Sequence, residues 1–220
     1  MDTQKRLILW ISAILVVGII AIGTYEVATA KPAQLPATNG SLSMPLDATD
    51  HTKGASKPEA TVVEYSDFEC PACAAYQPMV EAVYAQYKDR ISFTYRHFPL
   101  PQHLNAPIAA YAAEAASNQG KFWEMGDMLF NGQNDWAQLD TASAQAVFAT
   151  YAQKLGLDMA KFKTDENSAA VKSRVERDLQ SGTASAIDHT PTFFINGKMV
   201  NNPQSEAEFK ALIDYAITHP

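Results

Sequence analysis

Hydrophobic and polar positions along the chain change their period several times, and each change predicts a different element. The run ATVVEYSD at residues 60–67 is rich in β-branched residues and predicts a buried strand. Apolar residues at helical spacing follow at 71–87, with Pro78 inside the pattern. The segment ISFTYRHF at 91–98 then alternates apolar and polar residues with the period of a strand. Strand, helix and strand of these lengths predict a right-handed βαβ unit.

The second half of the chain predicts a long helical block followed by a hairpin. From about residue 104 to 181 the pattern is helical throughout. TFFI at 192–195 and KMV at 198–200 predict two strands joined by Asn196-Gly197, a strong hairpin signal. A capping-box pattern then precedes a final amphipathic helix. The order β-α-β, helices, β-β-α predicts an α/β fold with one mixed sheet, in which the helical block is an insertion between the two halves.

The N-terminal segment combines two basic residues with an apolar run. Lys5 and Arg6 precede Leu7–Ile22, which can be extended to residue 25. This run is slightly longer than the about 7–15 residues of a secretory signal and slightly shorter than the roughly 20 that span a bilayer. Residues 1–30 are therefore interpreted as a signal peptide cleaved after Ala28-Thr29-Ala30 or as a membrane anchor through 7–25. Both interpretations place the rest of the chain outside the cytoplasm, in the periplasm or on the outer face of the cell membrane.

Composition separates the N-terminal segment from the folded domain. Residues 31–58 are rich in Pro, Ala, Thr, Ser and Gly without periodicity, so we expect a flexible linker there. The folded domain is then residues 59–220. The formal net charge of -7 comes from scattered acidic residues without basic runs, which argues against a nucleic-acid partner.

The chain has two cysteines, Cys70 and Cys73, separated by Pro71 and Ala72 where the first predicted strand meets the first helix. A structural disulfide there would close a loop of four residues and constrain the unfolded chain little. A structural zinc site needs four ligands, and no suitable spacing is found among the histidines, which are His51, His97, His103, His189 and His219. We therefore predict no metal site, and thiol–disulfide exchange is the better interpretation.

The predicted position of the cysteines suits this chemistry. Cys70 would begin the helix, where free backbone N–H groups and the helix dipole stabilise a thiolate. Cys73 lies one turn further along, within reach of a disulfide. Cys70 is thus the candidate nucleophile and Cys73 the resolving thiol, and the Cys70–Cys73 disulfide is the redox centre without a separate cofactor.

Four ordered motifs carry a resemblance to a known family. SDFECPAC, HFPL, AAEAASNQGKFWEMGDMLF and TPTFFING together resemble the DsbA-like branch of the thioredoxin superfamily, from about Glu59 to the C-terminus. The resemblance implies a thioredoxin fold with a helical insertion. It also implies thiol–disulfide oxidoreductase activity on exported proteins, recycled by a membrane redox partner.

The resemblance also assigns roles to individual residues. Cys70 and Cys73 match the redox pair, and Pro71 and Ala72 lie between them on the side that meets the substrate. Thr190-Pro191 matches a cis-proline loop that binds an extended substrate by strand-like pairing, although an ordinary trans proline opening a strand is the alternative. Glu64 matches a buried acid that moves a proton to or from Cys73; its alternative is an exposed strand residue.

This chain departs from the family pattern between the cysteines. It has Pro-Ala where the best-known oxidant of the family has Pro-His, so no imidazole lies there to support the thiolate. His189, beside Thr190, is a candidate for part of that field, with a solvated loop histidine as the alternative. The remaining candidates are interpreted structurally: His97 and His103 as orienting loops near the second strand, and as insertion core Trp123, Met125, Met128 and Phe130.

The sequence leaves the direction of electron flow open. The leading hypothesis is an oxidase that introduces disulfides into exported proteins. A reductase or isomerase with the same residues is the second. A redox-silent thioredoxin-fold module that binds unfolded chains is the third.

Overall fold

The computed structural model describes residues 40–219. The predicted signal peptide or anchor at 1–30, with its apolar span at 7–25, lies outside the described residues, as does the first part of the predicted linker. Within residues 40–219, no helix is both long and apolar enough to cross a membrane.

The described residues contain one mixed sheet of five strands in the order β1-β3-β2-β4-β5. β2 pairs parallel to β3 and antiparallel to β4, whereas β1 and β5 are antiparallel edge strands. The parallel pair and the C-terminal hairpin were both predicted and are confirmed. The strands are β1 His51–Gly54, β2 Ala60–Ser66, β3 Ile91–His97, β4 Thr192–Ile195 and β5 Lys198–Val200.

Helix α1, Pro71–Tyr87, connects β2 to β3, and a block of helices connects β3 to β4. This block confirms the predicted helical insertion. Three of its helices begin at a side chain that accepts a backbone N–H group, and these N-cap residues are Asp140, Asp158 and Ser168. The helices are α2 Ala106–Ser117, α3 Phe122–Asn131, α4 Gln133–Trp136, α5 Thr141–Lys154, α6 Met159–Glu166, α7 Ala169–Ala184 and, after β5, α8 Glu206–Thr218.

The hairpin between β4 and β5 turns at Asn196 and Gly197, whose φ angles are 48° and 74°. Two positive φ angles are what the favoured two-residue hairpin turn requires, and asparagine and glycine adopt them at the lowest cost. The turn brings β5 back along β4, and β4 lies between β5 and the central strand β2.

The structure corrects the predicted linker at residues 31–58. β1 lies within this range and pairs antiparallel with β3. Arg96 of β3, fully buried, donates to both carboxylate oxygens of Asp50 at 2.9 Å and to two backbone carbonyl oxygens of the same segment. Residues 40–58 therefore belong to the folded domain. Their small, polar composition hides an edge strand because its pairing depends on backbone groups of a distant strand.

Within residues 40–219, three hydrophobic clusters fill the space around the sheet. One lies in the insertion around Trp136 and includes Cys70 and Cys73. A second packs one face of the sheet against α1 and α8, and the third packs the opposite face against α7. The two cysteines therefore lie where the core of the insertion meets the sheet.

Candidate active site at the start of helix α1

The first residues of α1 place two sulfur atoms at a helix N-terminus. Cys70 is the N-cap residue, with φ -70° and ψ 119°, and Pro71 follows at the first helical position. Proline suits this position because its missing N–H would have no partner in the helix. Cys70 and Cys73 carry free thiols and are 5% and 1% exposed. Pro71 and Ala72 between them are exposed. The turn that carries the two buried thiols is therefore at the protein surface.

Hydrogen bonds from the insertion hold this turn in place. Gln133 of α4 donates its side-chain amide to the carbonyl oxygens of Phe68, at 2.8 Å, and Cys70, at 3.0 Å. The backbone N–H of Cys70 donates to the carbonyl oxygen of Asp67, whose carboxylate accepts the N–H of Glu69. Gln133 was not predicted from the sequence, because a single amide in a short polar segment gives no signal of its distant backbone partners.

The loop before β4 meets the redox pair as the resemblance implied. The peptide bond between Thr190 and Pro191 is cis. Both residues are buried, and the Sγ of Cys70 lies 3.5 Å from the carbonyl oxygen of Thr190. Asn202 supports the loop by donating to the carbonyl oxygen of Pro191 at 2.6 Å.

The environment of Cys70 favours its thiolate. A hydrogen bond from the Cys73 side chain is the largest cause that lowers the pKa of Cys70, to about 5. The Thr190 side chain and the backbone N–H groups of Cys73 and Ala72 lower this pKa further, against the opposing effect of burial. The backbone N–H groups at the start of the helix therefore lower the pKa of Cys70, as predicted. The Cys73 thiol lowers it more.

Cys73 has the opposite behaviour. Burial raises the pKa of the Cys73 thiol well above its ordinary value, and the negative charges of Cys70 and Glu64 raise it further. One sulfur of the pair is thus ready to be a thiolate near neutral pH, whereas the other keeps its proton. This asymmetry is what a nucleophile and a resolving thiol need.

Glu64 lies inside the protein on the central strand. It is 2% exposed, so the alternative of an exposed strand residue is wrong. Burial raises the pKa of Glu64 to about 7, although the nearby Ser66 side chain and the charge of Lys53 act in the opposite direction. The carboxyl group lines a cavity of about 20 Å³ together with Tyr95 and Trp123. A cavity of this size has room for about one water molecule.

The histidines near the site have partners of their own. His189 is exposed, and its Nδ1 lies 2.6 Å from a carboxylate oxygen of Asp188. It is not among the groups with the largest effects on the pKa of Cys70, so the structure gives no support to the predicted tuning role. His103 contacts the carboxylate of Asp67 at 2.6 Å, which ties the loop after β3 to the site, as expected.

The fold and the paired thiols together define a thioredoxin-type protein with a helical insertion. Residues 47–215 match the family model described as thioredoxin. The chain therefore belongs to the thioredoxin family.

Solved structures give the branch of the family to which the fold is similar. Oxidised BdbD from Bacillus subtilis matches with a TM-score of 0.69 and 22% identity, covering 81% of this chain and 98% of that one. Wolbachia pipientis alpha-DsbA1 matches with a TM-score of 0.71 and 19% identity, covering 81% and 95%. At this level of identity the likeness shows the fold, which is of the DsbA type.

Curated relatives share more sequence but are much longer. The chain is 38% identical over 185 residues to the Na(+)/H(+) antiporter NhaA of Herminiimonas arsenicoxydans, covering 84% of this chain and 28% of that protein. It is 35% identical over 174 residues to Na(+)/H(+) antiporter NhaA 3 of Salinispora tropica, covering 78% and 26%. The chain thus spans about a quarter of the length of these relatives, and the transport activity in their names is not assigned to it.

Proposed function

We propose that this protein is a thiol–disulfide oxidoreductase that introduces disulfides into exported proteins. The observation that carries the proposal is the opposite shift of the two thiol pKa values, to about 5 for Cys70 and well above the ordinary value for Cys73. A stabilised thiolate favours the reduced form of the pair, so the corresponding disulfide is a stronger oxidant.

The first step transfers a bond from the protein to the substrate. A substrate thiolate attacks the Sγ of Cys70 in the Cys70–Cys73 disulfide, forms a mixed disulfide and releases Cys73 as a thiolate. Because the pKa of Cys73 is high, this thiolate takes up a proton. We propose Glu64 as the donor, since its pKa of about 7 keeps the carboxyl group partly protonated near neutral pH.

The second step releases the oxidised substrate. A second substrate thiolate attacks the substrate sulfur of the mixed disulfide, and Cys70 leaves as the stable thiolate. The substrate has lost two electrons, which remain on the protein as the Cys70–Cys73 dithiol. A membrane redox partner is then proposed to take these electrons and restore the disulfide.

The Thr190-Pro191 loop is the proposed binding site for the substrate backbone. It lies beside the Sγ of Cys70, and an extended chain could pair with its backbone groups in the manner of an added strand. The exposed Pro71 and Ala72 would form the other side of this contact. The basic and apolar residues at 5–22 support a location outside the cytoplasm, with or without retention as an anchor.

Equilibration with glutathione tests the direction of the reaction. An oxidase should have a reduction potential well above that of thioredoxin, which is about -270 mV. A value near or below about -250 mV would instead support the reductase or isomerase reading. The measurement needs only the fraction of Cys70–Cys73 disulfide at a series of glutathione ratios.

Oxidative refolding tests whether the protein is an enzyme at all. A reduced substrate that needs disulfides should regain activity faster with the oxidised wild type than with Cys70→Ser. Cys73→Ser is the matched variant, because it keeps the nucleophile. Loaded beforehand as a Cys70–glutathione mixed disulfide, it can exchange glutathione for a substrate thiol and should accumulate the Cys70–substrate mixed disulfide. Equal yields with wild type and Cys70→Ser would leave only a redox-silent binding module.

A further inference from the structure

Three side chains from separate elements meet on the insertion side of the sheet. His51 lies on β1, His97 at the end of β3 and Glu114 on α2. The Nε2 atoms of His51 and His97 lie 2.6 and 2.8 Å from the same carboxylate oxygen of Glu114. The three donor atoms all lie within 4.8 Å of one another. This set is called the His51–His97–Glu114 cluster below.

Packing fixes the direction of both imidazole rings. The side chains of His51, His97 and Glu114 are 12%, 1% and 7% exposed. The ring of His51 stacks on Phe122 at a centroid distance of 3.5 Å, and His97 packs edge-on against the same ring. The donors are therefore oriented towards one point before any ligand arrives, which lowers the entropic cost of binding.

We propose that the His51–His97–Glu114 cluster binds a divalent transition metal ion, with Zn²⁺ as the best fit. Two imidazoles and one carboxylate with an open fourth position are a common zinc ligand set. With metal–ligand bonds of about 2.0–2.1 Å in tetrahedral geometry, neighbouring donor atoms lie about 3.3 Å apart. The two distances from histidine Nε2 to the Glu114 oxygen, 2.6 and 2.8 Å, would therefore lengthen by only about 0.5–0.7 Å.

Two of the three side chains, His51 and Glu114, also line a surface pocket. The pocket has a volume of about 250 Å³ and is lined also by Thr49, Ser117, Asn118 and Arg174. This pocket can supply a water ligand. The positive charge of Arg174 does not oppose a cation strongly, because Arg174 pairs with Asp178 and faces Asp50 at 3.7 Å.

The consequence of metal binding would be structural. The ion would join β1 to β3 and to the insertion helix α2, so it would fasten the N-terminal edge strand to the rest of the domain. A ligand that binds the native state and not the unfolded chain raises the free energy of unfolding. The site uses neither Cys70 nor Cys73, so it is independent of the proposed redox activity.

Titration with Co²⁺ and Zn²⁺ tests the proposal. The full chain is used with its Cys70–Cys73 disulfide intact, which removes the thiolates as competing ligands. We expect one equivalent of Co²⁺ to give visible absorption bands of low coordination number and Zn²⁺ to displace it. Zn²⁺ should also raise the temperature of thermal unfolding. No binding at equimolar metal and neutral pH would overturn the proposal and leave a hydrogen-bonded structural cluster.

Matched variants show whether the ion lies in this cluster. Glu114→Gln and His51→Gln should each weaken Co²⁺ binding by about 10-fold or more. His103→Gln is the control, because His103 also contacts a carboxylate, that of Asp67, but has no second histidine beside it. Should the cluster variants not fold, paramagnetically shifted imidazole signals of the wild-type Co²⁺ complex provide a second readout. Unchanged binding in Glu114→Gln, or the absence of those signals, would contradict the assignment.

Discussion

The Sγ of Cys70 lies 3.5 Å from the carbonyl oxygen of Thr190, and the buried hydroxyl of the same threonine has no hydrogen-bond partner among the described residues. A buried hydroxyl without a partner is costly. The thiolate of Cys70 offers it an acceptor, and the Thr190 side chain is one cause of the lowered pKa of Cys70. The loop before β4 and the start of α1 thus act on one sulfur atom.

Replacing Thr190 by valine should raise the pKa of Cys70. The change removes the hydroxyl at nearly constant volume, and a hydrogen bond to a charged group is worth about 1.5–3 kcal/mol, or about 1–2 pH units. The ultraviolet absorbance of the thiolate, followed against pH, measures the shift. The reduction potential should fall in the same variant, because the dithiol form is less stabilised.

The control for this substitution is Thr183→Val, which removes an exposed hydroxyl from α7 that donates to the carbonyl oxygen of Leu179. It should leave the pKa of Cys70 unchanged. If Thr190→Val also leaves that pKa unchanged, the threonine hydroxyl does not stabilise the thiolate.

The stability of the reduced protein should rise with pH because of Cys70. Its pKa is about 5 in the folded state and ordinary in the unfolded chain, so between these values the unfolded state binds more protons. The contribution of Cys70 to the free energy of unfolding is complete above the pKa of the thiol in the unfolded chain, about 8.5. It is lost as pH falls through about 5. Urea unfolding of the reduced protein at several pH values measures it.

Subtracting the Cys70→Ser curve from the wild-type curve removes the contributions of the other groups. The difference should grow in favour of the wild type as pH rises from about 5. The oxidised protein has no thiolate and should not show this growth. A flat difference in the reduced protein would mean that Cys70 has an ordinary pKa.

The parts of the site that the sequence predicts are those whose signals are local. Cys70, Pro71 and Cys73 follow a strand and open a helix within a few residues, so their geometry depends on short-range backbone structure. The position of Pro191 relative to Cys70 came from the resemblance, since no spacing along the chain relates residues so far apart. In the structure the carbonyl oxygen of Thr190, in the same loop as Pro191, lies 3.5 Å from the Sγ of Cys70.

The parts that the sequence did not predict depend on long-range pairs. Gln133 lies on a different element from Cys70 and donates to the Cys70 carbonyl oxygen. The sequence around Gln133 does not distinguish it from a surface amide. His51 and His97 lack the short spacing of a zinc motif, yet pairing of β1 with β3 brings both to Glu114. The linker interpretation failed for the same reason, because β1 lies at an edge whose partner strand comes some forty residues later.

Replacing Glu64 by glutamine should affect both stability and proton transfer. The pKa of Glu64 is raised to about 7, so the native state binds more protons than the unfolded chain between about pH 4.5 and 7. Relative to Glu64→Gln, the free energy of unfolding of the wild type should fall as pH rises through this range. Above the range the difference between the two proteins should stay constant. Denaturant unfolding of the oxidised proteins measures the difference.

The same variant tests the proposed proton donor. Formation of the mixed disulfide, the step that releases Cys73, should slow in Glu64→Gln, and the pH dependence of its rate near 7 should disappear. Glu81→Gln is a suitable control, because Glu81 lines the same cavity but is only a minor influence on Glu64. An unchanged pH–rate profile in Glu64→Gln would remove Glu64 from the mechanism and leave the exchange chemistry of the cysteines intact.

Replacing Arg96 by methionine should strongly destabilise the domain, because it leaves the fully buried carboxylate of Asp50 without its bidentate partner. Breaking one side of a buried pair costs about 3–5 kcal/mol, whereas removing both charges costs less. The double variant Arg96→Met with Asp50→Asn should therefore recover part of the loss in urea unfolding. The control is Arg90→Met, which breaks an equally bidentate but exposed pair with Glu59 and should have little effect. Equal effects of Arg96→Met and Arg90→Met would mean that residues 40–58 do not contribute to the cooperative unit.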